Sequence, residues 1–332
     1  MPRTPITATI AFCSALVACA QPDTAVDKNT NQLLCDTVTG ACTVPGHDAT
    51  DHAHPDMRVA TASKPITLLY FTDPICSSCW GTEPQLRRLK LEYGDAVDIQ
   101  YHMGGLLPSW EVYNSGGISK PSDVAGHWDE VSPHYRMPII GDVWLEDPLP
   151  SSYPPSVAFK AAELQDHAKA LVFLRRLREQ VLLEKKNITK WPVIAEAASF
   201  AQLDTTRLHA DFTGAANALF QADLTLARSL GVRGFPTFIF TNNDGNRQQI
   251  YGARPYDQFA TAVKDIFPEV KSAALPKTLE ELFAVHASWC AEEVAVVLGI
   301  SHATAVEQLQ DQQAKGTLSV IETRNGNVWR KR

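Results

Sequence analysis

Residues 66–86 read ITLLYFTDPICSSCWGTEPQL, and this stretch decides the fold. The apolar run at 66–71 is typical of a buried strand, and the Thr-Asp-Pro segment at 72–74 ends it. Residues 76–94 follow a helical pattern, and residues 97–103 predict a second strand. A strand, a helix and a strand this close together indicate a βαβ unit with two parallel strands.

The Cys-Ser-Ser-Cys motif lies where the first strand gives way to the helix. Free backbone N–H groups at a helix start favour a thiolate, so we expect Cys76 to be an exposed nucleophile with a lowered pKa. Cys79 lies one helical turn further in and is predicted to be the resolving thiol. The alternatives are an inert disulfide and half of a zinc site, although zinc needs two more ligands and the chain has no second CxxC motif. The motif therefore predicts a redox-active disulfide and no other cofactor at this site.

A second motif, GVRGFPT at residues 231–237, stands between a predicted helix and a predicted strand. A proline that opens a strand after a glycine and an aromatic residue is a candidate for a cis peptide bond, and a simple trans turn is the alternative. A cis Pro236 would lie against the dithiol and leave the backbone of Phe235 free to pair with an extended substrate. Phe235 and Pro236 are therefore predicted substrate-binding residues.

The N-terminus has the pattern of an export signal. A mildly apolar run at residues 6–18 follows Arg3 and is too short to cross a bilayer. It ends in Leu-Val-Ala-Cys at 16–19, which resembles a bacterial lipobox. We expect residues 1–19 to be a lipoprotein signal peptide, with lipid on Cys19 holding the protein to a membrane surface on the periplasmic side. Secretion after ordinary cleavage and residence in the cytoplasm are the alternatives.

Residues 20–63 are predicted to be a linker that carries a small Cys/His element. The candidate metal ligands in this element are Cys35, Cys42, His47, His52 and His54. The two cysteines allow three interpretations: a structural disulfide, a zinc or copper site that also uses the histidines, or a second redox dithiol that exchanges with the CxxC motif.

The rest of the chain divides into two further parts. Residues 104–230 predict a long loop and a helical insertion, and residues 275–332 predict three helices and a two-stranded hairpin, the pattern of a winged helix. The formal net charge is −7, and residues 275–332 carry six basic and seven acidic side chains. Nucleic-acid binding needs a surplus of basic charge, so no nucleic-acid partner is expected and the last unit is predicted to bind protein or to pack on the chain.

Residues 64–267 resemble the DsbA family, in which a helical domain interrupts a thioredoxin fold. The dithiol after the first strand, the segment around Pro236 and the proline at position 84 carry this resemblance. It implies an α/β fold class, with a thioredoxin-like domain at 64–103 and 231–268. The pair Ser77-Ser78 replaces a pair that contains histidine in DsbA itself, so oxidase, isomerase and reductase activities all stay open.

Four short segments resemble one branch of that family, which contains the FrnE-like proteins and a cytosolic adaptor that delivers the Spx regulator to the ClpXP protease. These segments are Asp73-Pro74, Cys79-Trp80, Glu83-Pro84-Gln85-Leu86 and Met103-Gly104-Gly105-Leu106.

The leading functional prediction is an extracytoplasmic thiol–disulfide oxidoreductase. Its expected partners are proteins with thiols or disulfides, a redox partner and the membrane surface. The alternatives are a non-catalytic adaptor that binds a client protein through the thioredoxin-like groove, and a metal-handling lipoprotein.

Overall fold

The computed structural model describes residues 35–36, 40–43, 64–114 and 117–332. Its first two strands, β1 (Cys35–Asp36) and β2 (Ala41–Thr43), pair antiparallel with Cys35 opposite Cys42. Cys19 and the three candidate histidine ligands lie outside the described residues, so lipidation and the histidine part of the metal site stay predictions.

The predicted βαβ unit is confirmed. It consists of β3 (Ile66–Thr72), α1 (Ser77–Gly81), α2 (Glu83–Tyr93) and β4 (Val97–Met103). Strands β3 and β4 run parallel, with Ile66 opposite Val97. The single helix predicted for 76–94 is divided at Thr82, because Pro84 in the first turn of α2 has no N–H to continue the hydrogen-bond ladder of α1.

The described residues of the insertion form seven helices: α3 (Pro121–Tyr135), α4 (Val143–Glu146), α5 (Tyr153–Glu163), α6 (His167–Leu183), α7 (Trp191–Phe200), α8 (Thr205–Thr213) and α9 (Ala216–Ser229). The sequence predicted a long loop at the start of this region, but the structure has a helix of 15 residues there, α3. The rings of Trp128 and Trp144 meet edge to face at 5.3 Å and are buried, so these aromatic residues build a local core.

The chain then returns to the central sheet through β5 (Gly234–Phe235), β6 (Thr237–Asn242), β7 (Arg247–Tyr251) and α10 (Tyr256–Ile266). The sheet order is β4-β3-β6-β7, and β6 runs antiparallel to both of its neighbours. The Phe235–Pro236 peptide bond is cis, as predicted. The predicted fold class, α/β with a helical insertion, is confirmed.

The C-terminal unit comprises α11 (Leu279–Val285), β8 (Ser288–Cys290), α12 (Ala291–Leu298), α13 (His302–Ala314), β9 (Leu318–Thr323) and β10 (Gly326–Lys331). Its three strands form an antiparallel sheet in the order β8-β10-β9. The predicted helices and hairpin are present, strand β8 was not predicted, and the winged-helix classification stays a prediction.

Buried ion pairs attach the C-terminal unit to the rest of the chain. Glu293 is fully buried and pairs with Arg87 at 3.1 Å and with Arg175 at 2.7 Å. Arg87 also donates a hydrogen bond to the carbonyl of Ser288 at 2.7 Å. Cys290 is buried as a small side chain. Across the described ranges, no helix combines the length and the apolar character that crossing a bilayer requires.

Candidate functional site

The two sulfurs of the CxxC motif are reduced and fully buried. Cys76 is the N-cap residue of α1, and its sulfur accepts a hydrogen bond from the backbone N–H of Cys79 at 3.1 Å. Both side chains have 0% exposure. The prediction of an exposed nucleophile at Cys76 is therefore wrong for this conformation, because other parts of the chain close over the sulfur.

The protonation of the pair also differs from the prediction. Burial raises the pKa of Cys76 well above its ordinary value, and the hydrogen bond to the Cys79 side chain acts in the same direction. Burial also acts to raise the pKa of Cys79, but the hydrogen bond with Cys76 and the charge of Arg178 lower it overall. The predicted acidic thiol at Cys76 is thus wrong, because the free N–H groups of the helix start do not offset complete desolvation. Of the two thiols, Cys79 therefore has the lower pKa.

The buried cation that lowers the pKa of Cys79 is the guanidinium of Arg178. Arg178, on α6, donates a hydrogen bond to Oγ1 of Thr72 at 2.6 Å and forms an ion pair with Glu83. Oγ1 of Thr72 in turn donates to the hydroxyl of Tyr70 at 3.1 Å. Arg178 could not be predicted as a site residue, because it lies about 100 residues from the motif and only the packing of the helical insertion brings it there.

Asp73 ties the end of β3 to two other segments. Its carboxylate accepts hydrogen bonds from the N–H of Ile75 at 3.1 Å, from the N–H of Leu106 at 2.7 Å and from the hydroxyl of Ser152 at 2.8 Å. Burial raises the pKa of Asp73 to about 6, although these three hydrogen bonds favour the charged form. The Asp-Pro motif therefore anchors the chain just before the dithiol.

The edge of β5, predicted to bind substrate, is occupied by the chain itself. Strand β2 pairs antiparallel with β5, with Cys42 opposite Phe235 and Thr43 opposite Gly234. The ring of Phe235 packs over Gly104, where an added Cβ would lie 1.8 Å from a ring carbon. The sequence did not predict this pairing, because a three-residue strand carries no periodic signal.

Strand β2 also brings a third sulfur to the dithiol. Cys42 is disulfide-bonded, and its sulfur lies 3.3 Å from the sulfur of Cys76. Of the three interpretations of the Cys/His element, the disulfide agrees with this state of Cys42, because a disulfide sulfur is not the thiolate that zinc or copper requires. The described residues contain no group of three or more His, Cys, Asp and Glu side chains that could hold a metal.

Three features define a thioredoxin-like protein of DsbA type. They are a CxxC motif directly after β3 of a mixed four-stranded sheet, a cis proline directly before the neighbouring strand β6, and a helical insertion. Comparison with known proteins agrees with this class. A Thioredoxin family model matches residues 69–261. A candidate protein disulfide isomerase from Nitrosomonas europaea superposes with a TM-score of 0.52 at 18% identity, over 62% of this chain and 97% of its own, and shows the same fold.

Curated relatives extend the similarity beyond the thioredoxin-like domain. The ClpXP adapter protein SpxH of Halalkalibacterium halodurans is 33% identical over 90% of this chain and 97% of its own length. The protein of the same name from Shouchella clausii is 33% identical over 81% of this chain and 89% of its own length. The chain therefore belongs to the Thioredoxin family and, within it, to the family of these adapter proteins.

The leading functional prediction, an extracytoplasmic thiol–disulfide oxidoreductase, is contradicted by these relatives. They share most of this chain and are named adapters, whereas the DsbA-like structures show the fold alone. The thioredoxin-like fold is compatible with redox chemistry, but the adaptor given above as the alternative agrees better with the comparisons. The relatives also point to a protein partner.

Proposed function

We propose that this chain is a non-catalytic adaptor that binds a client protein at the edge of β5, beside the dithiol. The observation that carries the proposal is the pairing of β2 with β5. The pairing supports the proposal, because an extended segment of the chain already lies along this edge in the same way as a strand of another protein is added to a sheet.

The burial of the dithiol supports a binding role. A thiol must be ionised and accessible to exchange with a substrate disulfide. A disulfide of another protein cannot reach Cys76 in this conformation, since its side chain is fully buried, and burial also raises its pKa. Instead, the buried sulfurs and the Phe235 ring form the floor of the site, which is the surface that a client strand on β5 would pack against.

The relatives' name adds a protease as the second partner. We propose that the chain presents its client to a ClpXP-type protease, by analogy with the SpxH adapters. Such a protease must share a compartment with its adaptor, so the lipoprotein prediction at Cys19 bears directly on this step. Palmitate labelling that depends on Cys19 would place the chain outside the cytoplasm and remove the protease from the proposal, while an unlabelled cytoplasmic chain would retain it.

A reconstituted degradation assay tests the client edge. Purified ClpXP and the Spx regulator would be mixed with and without the full chain, and we expect the chain to accelerate the loss of Spx. In Gly234→Ala the added Cβ would lie 2.4 Å from the position of the Cys42 carbonyl oxygen and would obstruct any strand on β5. We expect this variant to need an about tenfold higher concentration for the same effect. Gly126→Ala, on the open side of α3, is the matched control because nothing lies within 4 Å of its added Cβ.

A variant without both thiols separates binding from catalysis. The triple variant Cys42→Ser/Cys76→Ser/Cys79→Ser, which also removes the Cys42 disulfide, should keep the acceleration, because an adaptor needs the shape of the floor and not its redox chemistry. Loss of the acceleration in this variant, with folding intact by circular dichroism, would refute the non-catalytic assignment.

A further inference from the structure

We propose that residues 40–43 are an internal occupant of the client edge, and that thiol–disulfide exchange between the Cys42 disulfide and Cys76 controls their release. The description of this edge as a client site rests on the proposed function above. The exchange itself rests only on the three sulfurs and on the strand that carries one of them.

The occupant is held at few points. Strand β2 spans three residues, and its ladder with β5 contains two residue pairs. The turn before it is anchored by Gly40, whose carbonyl accepts a hydrogen bond from the N–H of Ala253 at 2.6 Å. Gly40 has φ of +63°, a conformation that side chains disfavour. A short strand with one turn anchor opens at low cost compared with the core of the domain.

The occupant covers the reactive atoms as a bound client segment would. Ala41 and Cys42 are fully buried, as are Cys76 and Cys79 beneath them. The Cys42 sulfur is the part of the strand that reaches the dithiol, at 3.3 Å from Cys76. The edge therefore suits a client segment that is extended and carries a cysteine opposite Phe235.

The first exchange step forms a bond between these two sulfurs. Deprotonated Cys76 attacks the Cys42 sulfur, the existing disulfide bond of Cys42 breaks, and its former partner leaves as a thiolate that takes up the proton lost by Cys76. Cys35 is the residue opposite Cys42 in the β1–β2 ladder. The product holds β2 covalently on the dithiol, so the client edge is closed.

The second step frees the strand. Cys79 attacks the Cys76 sulfur, the Cys42–Cys76 bond breaks, and Cys42 leaves as a thiolate that takes the proton of Cys79. The sum is one disulfide lost at Cys42 and one gained between Cys76 and Cys79, so the exchange needs no external oxidant or reductant. Strand β2 has then lost the disulfide cross-link at Cys42, and its short ladders with β1 and β5 and the Gly40 anchor hold it.

Removal of the resolving thiol traps the first product. The full-length Cys79→Ser variant, purified without reductant, would be acid-quenched, blocked with N-ethylmaleimide and mapped by mass spectrometry under non-reducing conditions. We expect a peptide pair linked through Cys42 and Cys76, with the former partner of Cys42 carrying the maleimide. The Cys290→Ser variant is the matched control, because it removes a buried free thiol outside this cluster and should give a Cys76–Cys79 disulfide instead. Maleimide on Cys76 with the original Cys42 disulfide intact would overturn the exchange.

A second pair of variants tests the cover without changing any sulfur. In Gly40→Ala the added Cβ would lie 2.8 Å from the carbonyl oxygen of Ala253 and would loosen β2. We expect N-ethylmaleimide to label Cys76 about tenfold faster in this variant. Gly245→Ala is the control, because its φ of +84° gives the same backbone strain while nothing lies within 4 Å of the added Cβ. Equal labelling rates in Gly40→Ala and the unmodified chain would show that β2 is not the cover.

These results are distinguishable from failure of the proposed function, because none of them uses a client. Degradation of Spx that depends on Gly234, without any Cys42–Cys76 linkage, would leave the adaptor standing and remove the exchange. A Cys42–Cys76 linkage without client binding would support the exchange and remove the adaptor.

Discussion

Two surfaces of the thioredoxin-like domain are covered by other parts of this chain, and they are covered in different ways. Over the dithiol lies β2, held by a two-pair ladder and a contact between sulfurs. Over α2 and α6 lies the C-terminal unit, held by the fully buried Glu293 between Arg87 and Arg175. A short ladder separates at little cost, whereas opening the second interface breaks the buried ion pairs of Glu293 with Arg87 and Arg175. We infer that the first cover is reversible and that the second is part of the permanent structure.

The largest expected effect tests the permanent interface. Glu293→Ala leaves the buried Arg87 and the partly buried Arg175 without their shared carboxylate, so we expect it to lower the free energy of unfolding by roughly 3–5 kcal/mol. Denaturant titration followed by tryptophan fluorescence measures this change. Asp311→Ala is the control, because its ion pair with Lys315 is exposed and contributes little. Similar losses in both variants would contradict the distinction between the two surfaces.

The next effect concerns pH and acts on the dithiol side. The pKa of Asp73 is raised from 3.8 to about 6 in the folded chain, so between these pH values the folded state binds more protons than the unfolded state. Stability should therefore fall as the pH rises from about 4 to 6, by roughly 3 kcal/mol for a shift of this size. Asp73→Asn should remove this slope, although it also loses a hydrogen-bond acceptor.

The C-terminal interface should respond in a different pH range. Burial acts to raise the pKa of Glu179, but Arg175 and Arg330 lower it to about 2. Its contribution is complete above the unfolded value of 4.5 and is lost as the pH falls towards 2. Denaturant titrations between pH 3.5 and 7 compare the two regions, with Asp244→Asn in the exposed β6–β7 turn as control. If the free energy of unfolding still falls between pH 4 and 6 in Asp73→Asn, a group other than Asp73 causes this pH dependence.

The smallest effect is expected where the C-terminal unit is attached through solvent-exposed charges. Arg324 pairs with Asp129 at 2.6 Å and with Asp142 at 2.7 Å, but its side chain is 46% exposed. We expect Arg324→Ala to lower the free energy of unfolding by at most about 1 kcal/mol, and by less in 1 M salt, where screening is strong. A loss as large as that of Glu293→Ala would mean that burial is not what distinguishes these contacts.

Local patterns accounted for most of the secondary structure. Strand β4 has the predicted bounds, and the helix predicted at 76–94 is present apart from its division at Thr82, because each carries its own pattern and its own end signals. Strand β8 and the full length of α3 were missed. Three residues are too few for a period, and α3 is rich in small and polar side chains that weaken its apolar pattern.

The sequence predicted which residues form the site, but not the protonation and burial of their side chains. The positions of Cys76, Cys79 and Pro236 followed from short motifs, and their proximity followed from the resemblance to a known fold. The state of the sulfurs did not follow, because burial by β2 and the charge of Arg178 come from segments distant in sequence. A helix start alone favours an acidic thiol, and this expectation failed where desolvation was complete.

The sequence by itself determined that this chain has a thioredoxin-like fold with a CxxC motif at a strand–helix junction, because hydrophobic period, turn residues and motif spacing are local properties. Only the tertiary structure decided which surfaces stay open, since the energy of a buried sulfur or carboxylate depends on the segments that fold over it. For this protein the closing segment is three residues long, and it places Cys42 against the thiol that sequence reasoning had left exposed.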